Sequence, residues 1–209
     1  MTGRWIRDDR ENVRLYTERV ERYGADVKSV NWGSRESQRA RFAVFADLLP
    51  LDGCSVLDVG CGAGDFLQWL EQSGIDVRYT GLDITPAMID VCGERFPSAT
   101  FLAGSLTDPP ADLAPAYDIV VASGIFTYRP TDPLEYVFET VSRMFERSTV
   151  GAAFNALSAW TPVPDPEDTV IDPAEALAFC TTLTPWVALR HDYMPHDFTI
   201  ALRHEAHRA

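Results

Sequence analysis

At 209 residues, with 46% hydrophobic and 23% charged side chains, the chain has the length of one globular domain and the apolar content to bury a core, so disordered, collagen-like and membrane-spanning classes are excluded. A net charge of −13 argues against general nucleic-acid binding, whose affinity comes from Lys and Arg neutralising phosphates. The acidity is uneven: through Arg41 ten Lys or Arg face seven Asp or Glu, and beyond it eight face twenty-four. That points to a basic N-terminal segment that docks on an acidic body or attracts an anionic substrate.

In chain order, the first amphipathic stretch covers residues 10–23, with Val13, Tyr16, Val20 and Tyr23 on one face. A linker over 24–33 carries Trp32. A second stretch over 37–49 lines up Phe42, Phe45, Leu48 and Leu49. From Ser55 onward short β-branched runs alternate with amphipathic segments, the pattern of a mostly parallel sheet covered on both faces. The strands expected are 55–59, 77–82, 100–103, 118–122, 150–154, 186–191 and 198–202, and the helices 66–72, 86–95, 133–145 and 173–180. Pro86, Pro133 and Pro173 follow Thr85, Asp132 and Asp172, the cap-then-proline order of a helix start. Only residues 192–197 separate the last two strands, too few for a crossover, so they should pair antiparallel. The expected organisation is one domain, a helical cap over 1–49 on a core over 50–209.

Cys54, Cys61, Cys92 and Cys180 form no CxxC pair and sit in or beside apolar runs, as reduced packing thiols do. No cluster of His or carboxylates has metal-ligand spacing, so no metal is expected. The first eight residues lack the apolar stretch of a secretory signal, which places the expected chain in the cytoplasm.

The chemistry-bearing segment is Val56-Leu57-Asp58-Val59-Gly60-Cys61-Gly62-Ala63-Gly64-Asp65, a strand turning through three glycines into a helix. Such a turn brings backbone close to a ligand, with free N–H groups of the new helix beside it. A nicotinamide fold usually reads G-x-G-x-x-G with an apolar residue two before the first glycine. Here the glycines alternate, Asp65 stands at the last glycine's place and Asp58 precedes the turn. Asp83 ends the next strand, where an acid can accept hydrogen bonds from both hydroxyls of a ribose.

These residues resemble the class I S-adenosylmethionine-dependent methyltransferases of small-molecule type. Residues 56–64 look like that family's first motif and Leu82-Asp83-Ile84-Thr85-Pro86-Ala87-Met88 like its second. Phe101-Leu102-Ala103-Gly104-Ser105-Leu106 and Tyr117-Asp118-Ile119-Val120-Val121-Ala122-Ser123-Gly124 stand at its third and fourth. The resemblance implies an α/β, Rossmann-like sheet of seven strands, mostly parallel with the last antiparallel, helices on both faces and an N-terminal helical lid. It implies S-adenosyl-L-methionine as cofactor and S-adenosyl-L-homocysteine as product. The methionine part would lie on Gly60, Cys61, Gly62 and Gly64 with Asp58 at its ammonium, the ribose on Asp83, and the adenine near Ile84, Ser105 and Leu106; Ser123 would complete the cofactor set. Many members carry an acid where Ser105 stands.

Ligands in such sheets sit beyond the carboxyl ends of the strands, which sends the acceptor to residues 123–129. Phe126 and Tyr128 would form an aromatic wall, Arg129 would fork onto an acidic group, and Tyr16, Trp32, Asn155 and Tyr193 would close the pocket. Gln38 and Arg41 are placed to reach a cofactor carboxylate. A base is needed only for a protonated acceptor, and His196, His191 and Tyr128 are the candidates. His204 and His207 fall in a tail expected to fray. No Asn/Asp-Pro-Pro-Tyr/Phe sequence follows the fourth strand, which disfavours nucleic-acid bases.

The reading is methyl transfer to an oxygen or nitrogen of a small molecule, with Ala-, Arg- and Pro-rich usage fitting secondary metabolism. The partners expected are a small-molecule substrate, no nucleic acid and no membrane, in a monomer or homodimer. The rivals are a nicotinamide-dependent oxidoreductase and a non-catalytic, methyltransferase-like partner subunit.

Overall fold

A computed structural model describes residues 5–24, 34–128, 131–162 and 168–206; Trp32, Arg129 and His207 lie outside the described residues. The elements are α1 (Ile6–Tyr23), α2 (Arg35–Leu48), β1 (Ser55–Val59), α3 (Asp65–Gln72), β2 (Arg78–Asp83), α4 (Pro86–Arg95) and β3 (Thr100–Ala103). They continue with β4 (Tyr117–Ala122), α5 (Pro133–Glu146), β5 (Ser148–Leu157), α6 (Pro173–Leu183), β6 (Val187–Arg190) and β7 (Asp197–Arg203). One seven-stranded sheet has the order β3-β2-β1-β4-β5-β7-β6. From β3 across to β5 neighbouring strands are parallel, and β7 runs antiparallel to both β5 and β6. The reversed strand is thus the last in the chain but lies inside the sheet. Phe198, Ile200 and Leu202 of β7 are fully buried there, which an edge position would not allow.

The two faces carry separate cores. On one, Phe42 and Phe45 of α2 and Phe66 and Leu70 of α3 pack over Val56, Ile119 and Val121. On the other, Val137, Val141 and Met144 of α5 and Cys180 of α6 pack over Leu57, Val120 and Ala152, joined by Trp5. The alternation of Val56 and Leu57 between these cores is the two-residue period of a strand covered on both sides.

Helix starts depart from expectation in instructive ways. All three prolines open their helices, yet only Asp172 caps with its side chain, accepting from the Ala174 amide. Thr85 makes no such bond, and Asp132 sits in the left-handed region at φ +42°. α2 begins at Arg35 because Ser34 caps it through the Ser37 amide. α1 begins four residues before the expected Arg10: its first turns bury Asp8, Asp9 and Asn12, a polar face that apolar periodicity does not register. β5 runs on both sides of the expected 150–154 because it is paired with β4 and β7, and the pairing continues through Asn155 and Ala156. His204 is not frayed: its ring stacks on Phe145 at 4.0 Å and meets Ser148 Oγ at 3.0 Å. No helix among the described residues is long and apolar enough to cross a membrane.

Docking of α2 rests on Phe45, fully buried with its ring edge-on to Phe66 at 6.0 Å. Phe45→Ala should lower unfolding stability by about 3–5 kcal/mol, read as a fall in the urea midpoint; a midpoint shift of less than a third of that would show that α2 is not held by this contact.

Candidate functional site

In the sheet, β1 has β2 on one side and β4 on the other, so the chain leaving β1 and the chain leaving β4 diverge and a crevice opens at their carboxyl ends. The turn after β1 forms one wall. Gly60 has φ +74°, a conformation that side-chain-bearing residues avoid, and an added Cβ would lie 2.2 Å from Ile125 Cγ2. The amides of Gly60 and Cys61 both donate to the Leu82 carbonyl, at 2.7 and 3.1 Å, which fastens the turn to β2.

Asp83 completes that wall. Its Oδ2 accepts from the Gly62 amide at 3.0 Å and its Oδ1 from the Thr85 amide at 2.8 Å. Burial pushes its carboxyl above the ordinary value, and those two amides hold it back. Asp58, also buried, accepts from the Tyr79 phenol at 2.6 Å. Burial pushes Asp58 up to about 7 against the opposing Tyr79 bond, with Asp83 adding a further rise. Asp65 is held from two sides, by Gln38 Nε2 and Arg95 Nη1, each at 3.1 Å. Arg95 also bonds the Ala63 carbonyl, and Cys92 donates to the Gly62 carbonyl at 3.0 Å. A hydrogen bond with Cys92 and burial push the Cys61 thiol well up, so it stays neutral.

The cleft bounded this way opens to solvent and, with the open space at its mouth included, amounts to about 1080 Å³. Asp58, Gly60, Cys61, Gly62, Asp83, Ile84, Ser105, Leu106 and Ser123 line it, with Tyr16 and Tyr128. Gly64 stands behind, as the left-handed residue that starts α3. Ser105 is tied into its own turn, bonded to Thr107 Oγ1 at 2.9 Å and to the Asp108 amide at 3.0 Å. Three carboxylates line the cleft, and no Lys, Arg or His does so among the described residues. That wall suits a cationic ligand bearing hydroxyls.

Other expected residues lie elsewhere. Phe126 is core, its ring against Tyr136 at 6.0 Å and Phe154 at 5.7 Å. His191 meets Ser158 Oγ at 2.8 Å and Trp160, and His196 lies 3.5 Å from Asp197 Oδ2. Tyr193 bonds Thr199 Oγ1 at 2.9 Å, and burial pushes its phenol up. Asn155 is buried behind the wall. Arg41 does not enter the cleft; it forms a buried ion pair with Asp197. None of these six lines the cleft. Among the described residues, no three His, Cys, Asp or Glu side chains converge as metal ligands would.

Sequence reasoning missed Asn12, Tyr136 and Thr140, all of which line the cleft. Tyr136 and Thr140 lie four apart on α5, a spacing that placed them on one face but not on which side of the core edge. Asn12 donates to the Tyr128 carbonyl at 3.2 Å, Asp8 accepts from the Thr131 amide and hydroxyl at 3.0 and 2.9 Å, and Trp5 donates to Glu139 at 2.8 Å. These bonds lay α1 across the mouth.

A methyltransferase-domain family matches residues 56–148 of the chain. A protein of Mycobacterium tuberculosis named as a methyltransferase is 32% identical over 162 residues, which cover 73% of this chain and 94% of that protein. Magnesium-protoporphyrin O-methyltransferase of Rhodobacter capsulatus is 34% identical over 114 residues, 51% of this chain and 49% of that one. Among solved structures, magnesium protoporphyrin IX methyltransferase from Synechocystis PCC 6803 with bound SAM shares the fold, with a TM-score of 0.69 at 18% identity over 97% of this chain and 100% of that one.

The raised Asp58 gives a pH test. A carboxyl whose folded value lies near 7 and whose ordinary value is 3.8 favours the fold most below pH 4, and that contribution is lost as pH rises toward 7. The ligand-free protein should therefore lose several degrees of Tm between pH 5 and 8, and Asp58→Asn, which has no proton to lose, should lose clearly less. Parallel Tm profiles for the two proteins would acquit Asp58.

Proposed function

The chain belongs to the class I S-adenosylmethionine-dependent methyltransferases, and on that premise we propose that Asp58, the 60–64 turn and Asp83 hold the donor along its length. The enzyme transfers a methyl group to an oxygen or nitrogen of a small-molecule acceptor. When bound, S-adenosylmethionine supplies a sulfonium methyl, so that the acceptor's lone pair forms the new bond to carbon while the carbon–sulfur pair returns to sulfur.

The observation that carries the reading is the state of Asp83. Each of its oxygens is already fixed by one backbone N–H, leaving a lone pair on each for the two neighbouring hydroxyls of a ribose. Asp58, ionised, meets the ammonium of the methionine end, which Gly60, Cys61 and Gly62 allow to approach because the turn carries no side chain at its closest point. Ile84, Ser105 and Leu106 would hold the adenine, with the Ser105 turn standing where many members carry an acid.

The protein's catalytic contribution is alignment and exclusion of water, worth effective molarities of roughly 10⁵ M or more when geometry is held. Tyr16, Tyr128 and Asn12 form the acceptor side, closed by α1. His191 and His196 are engaged with Ser158 and Asp197 outside the cleft, so the reaction runs without a histidine base. Secondary metabolism as the setting of the acceptor rests only on composition and belongs to the same proposal.

Isothermal calorimetry with S-adenosylhomocysteine tests this directly, with NAD as the control ligand. Asp83→Ala should weaken S-adenosylhomocysteine binding by roughly 1.5–3 kcal/mol, about ten- to a hundredfold in Kd. An unchanged Kd refutes the ribose role, and heat from NAD but none from S-adenosylhomocysteine refutes the whole reading.

A further inference from the structure

Behind the cleft wall, Asn155 of β5 sets the direction of a hydroxyl inside it. The Gly124 amide can only donate, and it bonds Asn155 Oδ1 at 2.9 Å. That bond fixes which way the Asn155 amide faces, so its Nδ2 donates to Ser123 Oγ at 3.0 Å. Ser123 Oγ is thereby an acceptor toward Asn155, and its own proton must be given elsewhere. Ser123 is half-buried, lines the cleft just past β4, and finds no second partner for that proton among the described residues. Asn155 is buried and in register with Thr199 of β7, so it has no room to turn over.

We propose that Ser123, locked as a hydrogen-bond donor by Asn155, selects an acceptor that attacks through an ionised oxygen, a carboxylate or an acidic phenol, and not through an amine. The inference rests on the methyltransferase reading. An attacking oxygen anion keeps lone pairs beyond the one that meets the methyl carbon and can accept from Ser123 while it reacts. A neutral amine has one lone pair, and donating to it would block attack. A hydrogen bond to the charged form also favours ionisation of the acceptor, which fits a cleft that no histidine lines among the described residues. No proton then has to leave during transfer, because the oxyanion and sulfonium charges cancel. Ser123 moves from the cofactor set to the acceptor set, and Asn155 is a positioning residue that touches neither ligand.

The test uses the full chain saturated with S-adenosylhomocysteine at pH 8 and four probes followed by saturation-transfer NMR: 4-nitrophenolate and benzoate against 4-nitroaniline and aniline, both neutral at that pH. Wild type should bind at least one oxygen probe about fivefold or more tightly than either nitrogen probe. Ser123→Ala should erase that preference while S-adenosylhomocysteine Kd and Tm stay within twofold and 2 °C of wild type. Asn155→Asp keeps the acceptor for the Gly124 amide but turns the Ser123 proton away from the cleft, so it should weaken the oxygen probe to the Ser123→Ala level and add nothing in the double variant. Equal or absent binding of the oxygen probes overturns the proposal, as does further weakening by Asn155→Asp in the Ser123→Ala background, which would mark simple charge repulsion. Loss of S-adenosylhomocysteine binding in Ser123→Ala also overturns it, returning the hydroxyl to the donor. Failure of wild type to bind S-adenosylhomocysteine at all would instead sink the methyltransferase reading.

Discussion

Where the chains leaving β1 and β4 begin to diverge, the Ile125 side chain lies so close to Gly60 that residue 60 has no space for even one methyl group. Ile125 fills the volume in which a Cβ would stand, and the left-handed backbone at Gly60 is what lets the chain turn there. Because β1 and β4 lie at the point where strand order reverses, this one contact fixes both the floor of the cleft and the distance between its two halves. Asp58 and Asp83 hang from β1 and β2, and Ser123 and Tyr128 from the loop that carries Ile125. A side chain at 60 would push these halves apart before it touched any ligand.

The same geometry buries charge. Asp58 and Asp83 sit at the ends of central strands, where desolvation raises both carboxyls, and each is compensated only in part: Asp58 by a phenol, Asp83 by two amides. A fold selected for stability alone would place apolar residues there. On the proposed reading, the ammonium of the donor completes Asp58 and the ribose hydroxyls complete Asp83, so part of what burial costs the free protein is offset when ligand binds. By contrast, the Arg41–Asp197 pair is compensated within the chain, which explains why Arg41 joins α2 to β7 and leaves the cleft to Gln38 and Asp65.

What the sequence displayed follows the reach of local rules. β1, β3 and α4 lie where their residues place them, because β-branched runs and Pro86 act over a few positions. The cofactor residues are legible for the same reason: a turn of alternating glycines with an acid before it is compact in sequence and in space. The rest of the cleft lining comes from α1, α5 and the loop after β4, whose meeting is long-range. Asn12 looks like an ordinary helix polar residue, Phe126 like a wall when it is core, and His191 like a base when its ring is committed to Ser158. The polar first turns of α1 hide from a hydrophobic period, since their burial is earned through Thr131 and Tyr128 rather than through apolar contact.

That last feature bears on how α1 is held. At the start of α1, Trp5, Asp8, Asp9 and Asn12 are buried, whereas every residue from Val13 to Tyr23 is half-buried or exposed. The bonds from Trp5 to Glu139, from Thr131 to Asp8 and from Asn12 to the Tyr128 carbonyl fall along these first turns. Trp5 adds an edge-on ring contact with Tyr136 at 5.2 Å, the largest apolar anchor of the helix. Water could take over those hydrogen bonds if they broke, but it cannot replace the packing of the indole, so of these contacts the one most costly to lose is Trp5 on Tyr136, where the start of α1 is joined to α5.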